Sequence, residues 1–139
     1  MRLEITRKAD LAVRAMVLLA GADRRFKAPE LADALQTTAG FIPQVVGPLV
    51  KAGWVRSDPG PTGGYAGQID LAEVSVLQVV EAVDGATDSG RCVVADRPCN
   101  SSAPCPLHHA WTRARGELVA SLASTPLASL ASLADGTGR

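Results

Sequence analysis

The stretch Asp58-Pro-Gly-Pro-Thr-Gly-Gly-Tyr65 constrains the fold more than any other part of the chain. Proline and glycine at this density exclude a helix and demand a tight chain reversal. Residues 54–56, Trp-Val-Arg, read as a short strand before the reversal, and residues 68–71 as the return strand. The segment is therefore the tip of a small hairpin, and the question becomes what it is attached to.

Three helical segments precede it. Thr6 can cap the first, whose inner face is Leu11, Ala15, Leu18 and Leu19, with Gly21 as its stop. A second helix begins near Pro29, with Glu30 at its positive dipole end, buries Leu31 and Leu35, and ends at residues 36–38. Residues 39–52 read as a third, with Phe41, Val45, Leu49 and Ala52 inward. Gly47-Pro48 falls inside it, where proline removes a hydrogen bond, so a kink or a 3₁₀ turn is expected there. Three helices followed by a two-stranded wing predict a winged helix-turn-helix, whose third helix enters the DNA major groove.

After the wing, Val76, Val79, Val80 and Val83 form a helical stripe that stops at Asp84-Gly85. A loop over residues 86–104 follows, and then a long helix from about Pro104 to residues 125–126. Leu107, Trp111, Ala114, Leu118 and Leu122 make an apolar stripe along this helix. A helix extending past a small domain needs a partner for such a stripe, and its copy in a second subunit is the economical one. The tail, with Leu127, Leu130 and Leu133, is expected to pack weakly or fray. The predicted fold class is thus mainly α with a small β-wing: a winged helix-turn-helix plus a long C-terminal dimerisation helix. Its parts are a DNA-binding domain over 1–85, a cysteine-rich loop over 86–104, the dimerisation helix over 105–125 and a tail over 126–139.

The three cysteines of the chain, Cys92, Cys99 and Cys105, all lie in or beside that loop, and His108 follows three residues later. An odd count cannot form a closed disulfide framework. The loop is polar, so burial as small hydrophobes explains the thiols poorly. Thiolates with one imidazole make a soft site suited to an iron–sulfur cluster or zinc. The spacings are looser than the paired C-x₂-C of most zinc folds.

Net charge is zero, which by itself argues against a nucleic-acid partner. The distribution is uneven: residues 1–65 hold nine Lys/Arg and six Asp/Glu, residues 66–139 five and eight. A basic half and an acidic half fit a DNA-reading module joined to another function. No apolar run reaches transmembrane length, and the charged N-terminus lacks a signal-peptide core, so a cytoplasmic protein without a membrane partner is expected. No catalytic triad, nucleotide loop or paired carboxylate stands out, and no catalytic residue is expected.

The order and spacing of Met-Arg-Leu at the start, Asp10-Leu-Ala-Val-Arg-Ala15, Val50-Lys-Ala-Gly-Trp-Val-Arg-Ser57, Gly60-Pro-Thr-Gly-Gly-Tyr65, Val80-Glu-Ala-Val-Asp-Gly85 and the three-cysteine loop resemble the Rrf2 family of bacterial transcription regulators. The resemblance covers nearly the whole chain. It implies a homodimer that binds double-stranded promoter DNA, in many members as a repressor, and often an iron–sulfur cluster responding to redox state, nitric oxide or iron supply. Cys105-Pro-Leu-His108 is similar to the IscR-like pattern, which makes His108 the fourth ligand of a 2Fe–2S cluster. NsrR-like members instead use an acidic residue of the partner's first helix, which Asp10 matches with a two-residue offset. The cluster candidates are therefore Cys92, Cys99, Cys105, His108 and Asp10, with 2Fe–2S favoured over 4Fe–4S. The plainer reading of Asp10 is an ion pair with Arg7 or Arg14.

At the start of the third helix, Thr37, Thr38, Gly40, Phe41 and Gln44 are the DNA candidates, and Gln44 suits a bidentate pair with adenine. Arg2, Arg7, Lys51 and Arg56 are candidates for backbone phosphates, and Thr62 and Gly63 for contacts from the wing. The plainer reading of the charges is a solvated surface. The sequence departs from the family's pattern at Pro43, where an acidic base-reading residue stands, and at Pro59, where a wing arginine stands. Two alternatives remain: a clusterless regulator switched by thiol chemistry, and a zinc-stabilised protein-interaction module.

Overall fold

The computed structural model describes residues 3–94, 97–98 and 103–131. Helix α1 (Arg7–Gly21) starts at Thr6, whose hydroxyl accepts from the Ala9 amide at 3.0 Å. It buries Leu11, Ala12, Ala15, Met16 and Leu19. Helix α2 (Ala28–Leu35) has Pro29 in its first turn and ends at Gln36, which takes the left-handed conformation at φ 56°. Helix α3 (Ile42–Lys51) lays Ile42, Val45, Val46 and Leu49 against α1 and α2. Helix α4 (Val76–Asp84) is capped by Ser75 and closed by Gly85, and Val79 and Val80 are its buried residues. No described helix is long and apolar enough to cross a membrane.

Several expectations are corrected. The 3₁₀ turn lies at Ala39–Phe41, ahead of α3, and α3 runs through Pro48 as α-helix. The carbonyl that Pro48 cannot reach belongs to Gln44, on an exposed face where water can satisfy it. Ala52 is exposed, while Ile42 and Val46 complete the inner face. The wing consists of β1 (Val55–Asp58) and β2 (Gly64–Gly67), antiparallel, with Val55 opposite Gly67 and Asp58 opposite Gly64. The return strand thus lies four residues earlier than residues 68–71; Leu71–Glu73 is a 3₁₀ turn instead. Finally, Leu127 is fully buried. The Leu127 amide donates to Val74 at 2.8 Å and the Val76 amide to Thr125 at 2.9 Å, which draws the chain after the last long helix back onto the core. Burying one leucine contributes about 1.5–3 kcal/mol, so this return is part of the domain. Residues 128–131 are helical; Leu133 lies outside the described residues.

Helix α5 (His108–Ala123) begins about four residues later than expected and buries no residue of its own. It packs on α4, with Trp111 and Leu122 half-buried and Leu107 and Leu118 exposed.

Candidate DNA interface and cysteine loop

The start of α3 is presented by a short, well-tied turn. The Thr37 amide donates to Ala32 at 2.9 Å, and the Arg7 guanidinium donates to the Gln36 carbonyl at 3.4 Å. Thr38 precedes the 3₁₀ turn with no side-chain cap bond, so its hydroxyl is not used in capping. Thr38, Gly40 and Gln44 are exposed together at this end, with Thr37 and Phe41 half-buried. Lys51 is exposed at the other end of the helix.

The wing is fastened to the helices by backbone approaches that allow no side chain. A Cβ on Gly67 would stand 2.6 Å from Ala20 Cα, and one on Gly63 would stand 2.0 Å from the Asp58 carbonyl oxygen. Gly63 is buried, so its part is to close the wing turn; Thr62 beside it is exposed. Phe26, in the linker between α1 and α2, exchanges two 2.8 Å backbone bonds with Tyr65 and so forms a one-residue bridge to the free edge of β2. Lys27 donates its Nζ to the wing-tip carbonyls of Gly60, at 3.3 Å, and Pro61. Arg24 stacks over the Phe26 ring at 3.8 Å and bonds Glu30 at 2.6 Å. That bond holds the Glu30 carboxyl below, and the Arg24 guanidinium above, its ordinary pKa. Reading the sequence missed Arg25, Phe26 and Lys27; the run Arg24-Arg-Phe-Lys27 in so short a linker was the available signal. Arg2 lies outside the described residues.

Glycine at φ 90° turns the chain out of α4 at Gly85 into the cysteine loop. The loop's first residues are tied on both sides: the Thr87 amide donates to Glu81 at 2.7 Å, and Asp88 pairs with Arg115 of α5 at 3.5 Å. Further on, the Cys92 amide donates to the Arg97 carbonyl at 2.8 Å, and the Val94 amide to Cys92 Sγ at 3.4 Å. Cys92 and Cys105 are half-buried thiols. The His108 amide donates to the Cys105 carbonyl at 3.0 Å, and the His108 ring meets His109 edge-on at 5.2 Å. Asp10 points both carboxylate oxygens at Arg14 Nε, each at 3.1 Å, which is the plainer of its two readings. Cys99 lies outside the described residues, and among those described no three His, Cys, Asp or Glu side chains gather into a metal-binding group. The described donors nevertheless fit a soft metal or cluster by their chemistry: two thiols in a polar loop, and an imidazole on the first turn of the helix that follows.

Residues 5–133 match the Rrf2 family, described as an iron-dependent transcriptional regulator. A putative HTH-type transcriptional regulator of Neisseria meningitidis, NMA1593, is 29% identical over 78% of this chain and 74% of its own. The HTH-type transcriptional regulator IscR of Vibrio vulnificus is 29% identical over 78% of this chain and 66% of its own. Among solved structures, CymR of B. subtilis, "the global cysteine regulator", is 22% identical with a TM-score of 0.77, covering 95% of this chain and 98% of that one. The IscR of T. potens is 20% identical with a TM-score of 0.69, covering 98% and 90%. At these identities the structures establish the fold, a winged helix-turn-helix. The chain belongs to the Rrf2 family and is a DNA-binding transcriptional regulator, not an enzyme.

Proposed function

We propose that this regulator acts as a homodimeric repressor whose operator affinity is set by an iron–sulfur cluster on Cys92, Cys99, Cys105 and His108. The observation that carries the reading is the bond from the His108 amide to the Cys105 carbonyl, which joins the end of the cysteine loop to the first turn of α5. A change at the thiols is thereby a change at the start of the helix that pairs the two subunits. Bound there, a cluster would supply a redox- and nitric-oxide-labile centre. His108 is the better fourth ligand than Asp10, whose carboxylate is engaged with Arg14. The 2Fe–2S form follows from that choice, since a histidine at this spacing belongs to the IscR-like pattern.

On the DNA side, Thr37, Thr38, Gly40, Phe41 and Gln44 face the base edges, with Lys51, Arg56, Arg2 and Thr62 on the flanking backbone. Residues 86–104 form the regulatory loop, and Leu107, Trp111, Leu118 and Leu122 the subunit contact. Coupling between loop and operator is of order 1–3 kcal/mol, a five- to 150-fold change in affinity. Anaerobic purification followed by iron and acid-labile sulfide analysis, with operator affinity measured for the parent and Cys105→Ala at one salt concentration, tests the reading. Iron and sulfide in the parent, together with an altered affinity in the variant, are expected. Colourless protein without either overturns the cluster.

A second reading, a thiol switch without a cluster, is favoured by the fold's similarity to the oxidised form of S. aureus CymR, 24% identical with a TM-score of 0.72. Metal-free protein whose operator affinity changes reversibly with peroxide and reductant would select it.

A further inference from the structure

The wing tip, residues 59–64, carries no charged side chain, so a cation near it must come from the strand below or from the neighbouring linker. Both supply one. Arg25 Nη2, from the linker between α1 and α2, and Arg56 Nε, from β1, each stand 3.0 Å from the same oxygen, Asp58 Oδ2. Arg56 and Asp58 are two residues apart on one strand and so share a face of the sheet. Both guanidinium groups are about half exposed, and they border an open cleft that Asp23, Arg24 and Gln68 also line, three arginines against one carboxylate.

The Phe26–Tyr65 bonds fix the linker alongside β2, and Lys27 adds a further ammonium under the wing tip. The backbone that carries Arg25 is thus held at the two residues that follow it. Two guanidinium groups held on one carboxylate oxygen are spaced for an oxyanion. Exposed pairs of this kind are weak and screened by salt, while a phosphodiester oxygen offers the same charge and acceptor geometry.

We propose that Arg25 and Arg56 form a composite backbone-phosphate site on the flank of the wing, with Asp58 occupying it until DNA arrives. The site deepens the DNA-binding reading and rests on it. Its new element is that the linker between α1 and α2, outside both the recognition helix and the wing, contributes a contact. Phosphate contacts of this type position without specifying sequence. The site therefore acts on specific and random DNA alike.

The test measures binding of the full-length protein to a fluorescent random-sequence duplex of about 30 base pairs, from about 50 to 200 mM KCl. Arg25→Gln is expected to weaken binding about three- to tenfold at low salt and to reduce the salt slope by about one. Arg25→Lys should recover the slope, since it restores the charge. Asp58→Asn should bind more tightly than the parent because the competing carboxylate is gone. Arg113→Gln, which removes a charge from α5, should match the parent. An Arg25→Gln variant with parental affinity and slope overturns the inference while leaving DNA binding intact. Looser or unchanged binding by Asp58→Asn overturns the role given to that carboxylate. A parent that does not bind the duplex at low salt overturns the DNA-binding reading, and this site with it.

Discussion

Thr6 donates its hydroxyl to Asp84 Oδ1 at 2.7 Å while accepting from the Ala9 amide, so one side chain both caps α1 and holds the last residue of α4. The cap satisfies an orphan amide of the first turn. The bond to Asp84 fixes the point where the chain leaves α4 for the cysteine loop, one residue before Gly85. Loss of such a cap costs about 1–2 kcal/mol. Thr6→Ala is therefore expected to lower the thermal midpoint by about 3–6 °C, and Thr6→Ser to keep most of it. Circular dichroism melts of the three proteins check this; an unchanged Thr6→Ala would show that the cap contributes nothing net.

Two glycines make opposite predictions. At Gly67 an added Cβ meets the backbone of Ala20 and Leu19 within 2.7 Å, and backbone cannot swing aside as a side chain does. Gly67→Ala must part β2 from α1, at a cost of about 1–3 kcal/mol or more. Gly116 lies mid-way along α5, with nothing within 4 Å of the same added atom. It stands on the side of the helix opposite Leu118 and Leu122, so the proposed subunit contact is spared. Gly116→Ala should stabilise by about 0.5–1 kcal/mol through helix propensity alone. Urea unfolding of both variants measures the two signs, and a destabilised Gly116→Ala would mean that a second subunit packs against that side.

The same contrast explains what could be read from the sequence. Thr6, Pro29 and Gly85 act through their own backbone neighbours, and the helix limits they mark are found where the sequence puts them. The apolar faces of α1 and α4 follow the 3.6-residue period for the same reason. β2 is different. Gly64-Tyr-Ala-Gly67 is poor in strand formers because it must come within backbone distance of Phe26 and Ala20, so the more strand-like residues 68–71 masked it. Pro48 looked like a break because the exposure of the Gln44 carbonyl is a property of the packed domain. Leu127 looked like tail because its partner Val74 lies more than fifty residues earlier. In the candidate sites, residue types and spacing pointed to the cysteine loop and the start of α3. The part played by Arg25 and Lys27 needed the wing folded against the linker.

The exposed side of α5 supplies the last prediction. Leu107 is 49% exposed and Leu118 42%, while Trp111 and Leu122 on the same stripe are half-buried. Large apolar side chains in line along a helix that buries none of its residues within its own chain call for another surface. A second copy of α5 presents the same stripe, and a two-fold axis lets both be covered at once. Leu118→Glu sets a carboxylate into the proposed contact, and leaving it unpaired on burial is strongly unfavourable. Because Leu118 belongs neither to the hydrophobic core nor to the side chains packed against it, the variant should keep the fold. It is expected to sediment as a monomer with a parental circular dichroism spectrum and to lose operator binding by at least about tenfold, since two half-sites then have to be filled independently. Light scattering and sedimentation at micromolar concentration decide it: a Leu118→Glu dimer as tight as the parent's would move the subunit contact off this stripe.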